Sequence, residues 1–291
     1  MPTTESGLVV VDKSGGMTSH DVVSRVRRLA GTRKVGHAGT LDPMATGVLV
    51  LGVNRATRLL GHLMLTEKGY DATIRLGVAT TTDDAEGEVT ATVSTEGLEE
   101  AVVRAAAAEF VGDLQQVPTA VSAIKVDGKR AYQRVRDGEQ VELKARPVTV
   151  HELTVHEVRG VSTGSTTEVD ISVRCSSGTY IRAIARDLGA RLGVGGHLTA
   201  LRRTAVGPYD LASARTLDQL GEEFALMPIA DAARAAFPTR DLDDIQAADV
   251  RVGRALDIGL DTLTGVFAPD GEFLALYEPR GETAKAVAVF V

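Results

Sequence analysis

Asp42 lies in the run Gly36-His37-Ala38-Gly39-Thr40-Leu41-Asp42-Pro43-Met44-Ala45-Thr46-Gly47, a glycine-rich turn that presents one carboxylate just before the apolar stretch Val48–Leu51. Pro43 disfavours helical backbone at the residue before it and fixes the next φ, so the acid has a defined direction. A carboxylate held this way can attack a carbon centre or stabilise positive charge developing beside it. Taken alone, Asp-Pro is also an ordinary turn former, and the dipeptide by itself would be read as one.

The surrounding pattern mixes strands and helices. Gly7 to Val11 is a short apolar run, and after the Gly15-Gly16 turn Ser19 is placed to cap a helix carrying Val22, Val23, Val26 and Leu29, which Gly31 ends. Val48 to Val53 reads as a buried strand, and Asn54 is placed to cap a helix through Leu59, Leu60, Leu63 and Met64. Tyr70, Ala72, Ile74 and Leu76 alternate as on a half-buried strand, and 98–110 reads as helix. Val148, Val150, Val155 and Val158 suggest further strands. Beyond a Gly/Ser/Thr-rich connection at 160–167, Val169, Ile171, Val173 and Cys175 keep a period of two that makes Cys175 a packed strand residue. The next helix carries Ile181, Ile184, Leu188 and Leu192 on one face and stops at Gly193, with Arg182 and Arg186 off that line. After Phe237-Pro238 short alternating segments dominate, which indicates a small β-rich domain.

With 291 residues and 44% hydrophobic content, the chain can bury one large core and a smaller appendage. The net charge of −7 argues against a nucleic-acid partner until its distribution is considered. Residues 83–113 form an acidic block. By contrast, Arg174, Arg182, Arg186, Arg191, Arg202 and Arg203 face a single acid, Asp187, across 172–206, and 125–146 is also basic, so a locally basic face on an acidic protein is expected. The lone cysteine excludes an internal disulfide, no Cys/His spacing suits a metal, and no apolar run is long enough for a bilayer. A cytoplasmic location is expected.

Five blocks together resemble the TruB family of tRNA pseudouridine synthases. These are Asp12-Lys13-Ser14-Gly15-Gly16-Met17-Thr18-Ser19-His20-Asp21; the Asp42 run; Lys68-Gly69-Tyr70 with Leu76-Gly77; Thr82-Asp83-Asp84-Ala85-Glu86-Gly87; and Ser177-Gly178-Thr179-Tyr180-Ile181-Arg182 with Asp187-Leu188-Gly189 and His197 through Leu201-Arg202-Arg203. The family usually has proline where Ser14 stands and often an acid where Thr81 stands. The resemblance implies an α+β pseudouridine synthase fold, with a mixed, mainly antiparallel central sheet flanked by helices, over 1–237. It implies a small β-rich PUA-like domain over 238–291 and a mobile RNA-closing segment over 115–147.

It also implies isomerisation of uridine 55 in the TΨC loop of tRNA by base flipping, with no metal or cofactor, no membrane and no obligatory protein partner. Asp42 would be the nucleophile, Tyr70 would pack against the target base, and Arg182 would pair with the Asp42 carboxylate. An arginine fork keeps a carboxylate ionised and oriented, and an aromatic face tolerates base rotation. The residues implied on the RNA are His37, which would fill the place of the extruded base, with Lys13, Arg58, Asp84, Lys125, Lys129, Arg130, Tyr180, Leu201 and Arg202. Whether Asp42 attacks C1′, attacks C6 or assists elimination stays open at this level. The alternative from another class is a tRNA-binding folding chaperone with secondary or lost catalysis. A phosphotransferase is disfavoured by the lack of an Asp-x-Asp pair and of a phosphate loop.

Overall fold

Leu8–Val11 and Val48–Val53 are unbroken rather than alternating apolar runs, the pattern of strands covered on both faces. The computed structural model, which describes residues 3–119, 125–126, 129–130, 143–160 and 165–291, folds them so. Strand β1 (Gly7–Lys13) pairs antiparallel with β3 (Thr46–Val53), setting Val10 opposite Val50, and β2 (Val35–His37) pairs with β3 as well. The chain divides into two compact units: Met1–Pro43, Gly47–Leu65 and Ala205–Val291 form the first, and Met44–Thr46 with Thr66–Thr204 form the second.

In the first unit, helix α1 (Ser19–Ala30) buries Val22, Val23 and Val26 and ends at Gly31, whose φ of 64° is the left-handed cap expected there. The expected cap at its start is corrected by one residue. Thr18, not Ser19, is the N-cap, in a reciprocal capping box with Asp21. Asn54 is corrected too. It opens a 3₁₀ turn (Asn54–Arg58) ahead of the short α2 (Leu60–Leu63), its own φ is 55°, and its amide donates to the Thr3 and Glu5 carbonyls instead of capping a helix.

The second unit contains β4 (Lys68–Leu76), the β5 (Val78–Thr80) and β6 (Val89–Thr92) pair, and α3 (Glu100–Ala108). It continues with β7 (Gly112–Gln116), the short β8 (Lys125–Val126) and β9 (Lys129–Arg130) pair, β10 (Arg146–Arg159), β11 (Thr167–Cys175), α4 (Ile181–Arg191) and most of β12 (Gly196–Val206). Its strands run in the order β12-β4-β11-β10-β7. The period of two is realised on β4, where Lys68, Tyr70, Ala72, Ile74 and Leu76 are buried, and Cys175, at the end of β11, stands opposite Lys68 of β4 and is fully buried. Burial pushes the Cys175 thiol up to about 11, so it is a packed thiol rather than a nucleophile.

The C-terminal part of the first unit adds β13 (Tyr209–Asp210), α5 (Leu217–Glu222), β14 (Met227–Pro228) on the edge of β1, and α6 (Ile229–Ala236). It then forms the β-rich region: β15 (Thr239–Asp241), α7 (Asp244–Arg251), β16 (Thr264–Phe267), β17 (Phe273–Arg280) and β18 (Thr283–Val289), in one sheet of order β15-β16-β17-β18. Phe267, Phe273, Leu276 and Phe290 join the core built on Val10, Val48, Val50 and Leu59, while Val266, Leu274 and Tyr277 join a second core with Leu242 and Val250. This sheet is therefore covered on both faces. Helix α7 was not legible in the sequence pattern, because its buried residues are only Ala247 and Val250.

Candidate active site

Asp42 is half-buried, and its direction is set through its two neighbours. On one side, the Ser19 hydroxyl donates to the Leu41 carbonyl at 3.1 Å and accepts from the Leu41 N–H at 2.9 Å. On the other, the Pro43 carbonyl accepts from the Gly16 N–H at 2.9 Å and from the Lys13 ammonium at 3.2 Å. Lys13 is fully buried and also donates to the carbonyls of Ser14 and Met17, at 3.0 and 2.8 Å. Three carbonyl dipoles converge on the one charge and help to stabilise a buried ammonium. Gly39 and Gly47, at φ 100° and 97°, bracket the loop in backbone conformations that a side chain would strain. His37 ends β2, and its ring meets that of His20 edge to face, with centroids 5.8 Å apart.

In the second unit, Arg182 is not the surface residue its place off the apolar line suggested. It is 5% exposed, on the first turn of α4, and donates to the Asp84 carboxylate at 3.1 Å and the Thr82 carbonyl at 3.0 Å. Asp84 is 2% exposed and also accepts from the Thr82 hydroxyl and the Glu86 N–H. The pair is thus surrounded by further hydrogen bonds, the condition under which a buried ion pair is tolerated. Asp83, at φ 59°, forms the turn that points both acids inward; burial raises its carboxyl pKa, and Arg186 at 3.4 Å opposes that rise.

Gln116, which falls in the 115–147 segment expected to be mobile, has a positioning role that the sequence does not indicate. Its buried side chain bonds both the N–H and the carbonyl of Tyr180, at 2.8 and 3.1 Å, and so sets the entry to α4, where Tyr180 itself makes no side-chain cap. Only a long-range pairing reveals this; nothing local distinguishes Gln116 from Gln115.

Tyr70 is 8% exposed on β4, opposite Val173. Leu201 is buried, and Arg202 donates to the Thr46 hydroxyl at 3.3 Å. In the first unit Arg58 is exposed and donates to the Val289 carbonyl at 2.6 Å. Lys125, Lys129 and Arg130 lie on the β8 and β9 pair, and their side chains, like most of the 115–147 segment, fall outside the described residues. Among the described residues no His, Cys, Asp and Glu cluster could hold a metal ion, and no helix is long and apolar enough to cross a membrane.

Three family models match in succession: the N-terminal domain of TruB family pseudouridylate synthases over 27–181, the tRNA pseudouridylate synthase B C-terminal domain over 182–235, and the tRNA pseudouridine synthase II C-terminal region over 237–291. The chain is 58% identical over 295 residues to a protein named tRNA pseudouridine synthase B of Arthrobacter sp. (strain FB24), covering 98% of this chain and 96% of that one. It is 60% identical over 287 residues to the protein of the same name from Thermobifida fusca (strain YX), covering 98% of each. Among solved structures it resembles a chain of an H/ACA RNP bound to a substrate RNA containing 2′-deoxyuridine, with a TM-score of 0.74 and 24% identity over 98% of this chain and 85% of that one. A Cbf5-Nop10-Gar1 complex gives a TM-score of 0.73 and 25% identity with the same coverage. These structures share the fold.

Proposed function

The chain belongs to the TruB family of pseudouridine synthases, and from that membership we propose that it isomerises uridine 55 in the TΨC loop of tRNA to pseudouridine. The observation that carries the reading is the Asp42 loop: a carboxylate between two residues whose backbone is hydrogen-bonded to β1, α1 and the turn joining them. In the proposed cycle the uridine is flipped out of the loop, at a cost of a few kcal/mol, and His37 takes the vacated place. Asp42 assists breakage of the N1 to C1′ bond, the uracil turns against Tyr70, and a C5 to C1′ bond forms as the C5 hydrogen leaves to solvent. Arg182 supplies positive charge for the carboxylate chemistry, and its ion pair with Asp84 holds it. The reaction conserves atoms apart from that proton exchange and takes place in the cytoplasm. Residues 1–237 would carry it, and 238–291 would serve as a PUA-like appendage.

Tritium release from a tRNA transcript labelled at uridine C5 tests this. Wild type should release label that maps to position 55. Asp42→Asn should slow release by on the order of a thousandfold or more while tRNA binding stays within about threefold. A folded wild-type protein that binds tRNA and releases nothing would favour the folding-chaperone reading instead.

A further inference from the structure

In the first unit, a cavity of about 550 Å³ opens where the N-terminal segment, the turn before β2 and the 3₁₀ turn after β3 meet. Its wall consists only of cationic, hydroxyl and amide side chains, with Lys34, Arg55 and Arg58 as the charges and neither a carboxylate nor a hydrocarbon side chain among them. That is unusual for a chain with 39 acids and 32 bases. Among the described residues no carboxylate pairs with Lys34, Arg55 or Arg58, and both arginines are exposed.

The cavity is a built feature. Asn54, in its left-handed conformation, joins all three segments. Its N–H donates to the Lys34 carbonyl at 2.8 Å, its amide nitrogen to the Thr3 and Glu5 carbonyls, and its amide oxygen accepts from the Thr32 hydroxyl at 3.1 Å. Arg55 and Arg58 each place one N–H on a backbone carbonyl, those of Phe290 and Val289, at 3.0 and 2.6 Å. A guanidinium has five N–H donors, so one such bond aims the fork and leaves donors for a ligand.

We infer that this cleft is a phosphate-binding site for the sugar-phosphate backbone of the tRNA substrate. Cations and hydroxyls without acids are the groups that bind phosphodiester oxygens and position a nucleic acid without reading its sequence. The location fits the same substrate. Lys34 immediately precedes β2 and His37 ends it, which at strand spacing separates the two by about 10 Å. The RNA loop that His37 enters and phosphates of the same RNA arm therefore fall within reach of one bound molecule. The inference rests on the tRNA reading above.

The test measures tRNA affinity against KCl concentration for wild type, Lys34→Gln and Lys34→Arg, with thermal melts to establish folding. Lys34 is chosen because substituting Arg55 or Arg58 would also break a bond to the C-terminal strand. Lys34→Gln should weaken binding about threefold to tenfold and lower the log-log salt slope by about 1, and Lys34→Arg should restore both. A folded Lys34→Gln protein with wild-type affinity and slope overturns the cleft and leaves the isomerase reading standing. Wild type that neither binds tRNA nor releases tritium overturns both. Unchanged tRNA binding by Lys34→Gln, with inorganic phosphate raising the melting temperature of wild type alone, would assign the cleft to a small anion and overturn the RNA inference.

Discussion

The Asp42 loop and the Arg182 and Asp84 cluster hold charged side chains by opposite means. Around Asp42 the restraints act on the main chain: Ser19 grips Leu41, Lys13 and Gly16 grip Pro43, and two glycines set the backbone on either side. Around Arg182 they act on the charged groups themselves, a guanidinium and a carboxylate each under 10% exposed and bonded to one another. A loop fixed through its backbone keeps its course when a side chain on it is exchanged. A cluster fixed through its charges depends on both of them for stability. The acid proposed to react belongs to the first kind, and its proposed electrostatic support to the second.

Stability measurements should separate the two most sharply. Arg182→Gln leaves the Asp84 carboxylate buried without its cation and should cost about 3–5 kcal/mol in urea unfolding. The double variant Arg182→Gln with Asp84→Asn should cost clearly less than the sum of the singles, because neither then strands a charge. Asp42→Asn should stay within about 1 kcal/mol of wild type. Equal destabilisation by Asp42→Asn and Arg182→Gln would erase the contrast.

The same contrast explains what was legible in the sequence. The Asp42 loop is written in glycine and proline at consecutive positions, and β4 and β11 in an unbroken period of two, so both could be read locally. Arg182 and Asp84 are 98 residues apart, and periodicity put Arg182 off the apolar face, yet the structure buries it because the Asp83 turn delivers a carboxylate to it. The Gln116 bond to Tyr180, 64 residues away, is invisible for the same reason. The cap of α1 was misplaced by one because Thr18 and Ser19 are both good caps locally; the choice is made by Leu41, which takes the Ser19 hydroxyl for the loop. Family resemblance, not pattern, supplied the pseudouridine synthase fold.

Lys68 sharpens the comparison from the second unit. It is 7% exposed and donates to the Thr66 carbonyl at 2.8 Å. Burial first, and then the charge of Arg203, lower its ammonium from the usual 10.5 to about 8, with Cys175 opposing. The unfolded chain therefore keeps this proton to about pH 10.5, whereas the folded chain releases it near 8. Between those values the unfolded state binds more protons, so stability from this group rises with pH; below 8 both states are protonated and the penalty is constant. Lys68→Met should be more stable relative to wild type at pH 7.5 than at pH 10, by on the order of 2 kcal/mol in urea midpoints converted to free energy. A difference that does not change with pH would mean that the ammonium is not penalised by its surroundings.

The smallest effects come from two adjacent hydroxyls, which test the Asp42 side of the comparison. Thr18 and Ser19 differ by one methyl group and one position, but the first serves the helix and the second serves the loop. Thr18→Ala should cost about 1 kcal/mol through loss of the capping box and leave the turnover of bound tRNA unchanged. Ser19→Ala removes both bonds to Leu41, so its mark should be kinetic: kcat reduced about tenfold with KM for tRNA near wild type, since a reacting group displaced by a fraction of an ångström loses its attack geometry without losing the substrate. If Ser19→Ala lowers stability as Thr18→Ala does and leaves kcat intact, the hydroxyl is merely filling a buried hydrogen-bond site. In that case the Ser19 hydroxyl does not set the direction of Asp42, and Gly39, Gly47 and the contacts to Pro43 hold the loop without it.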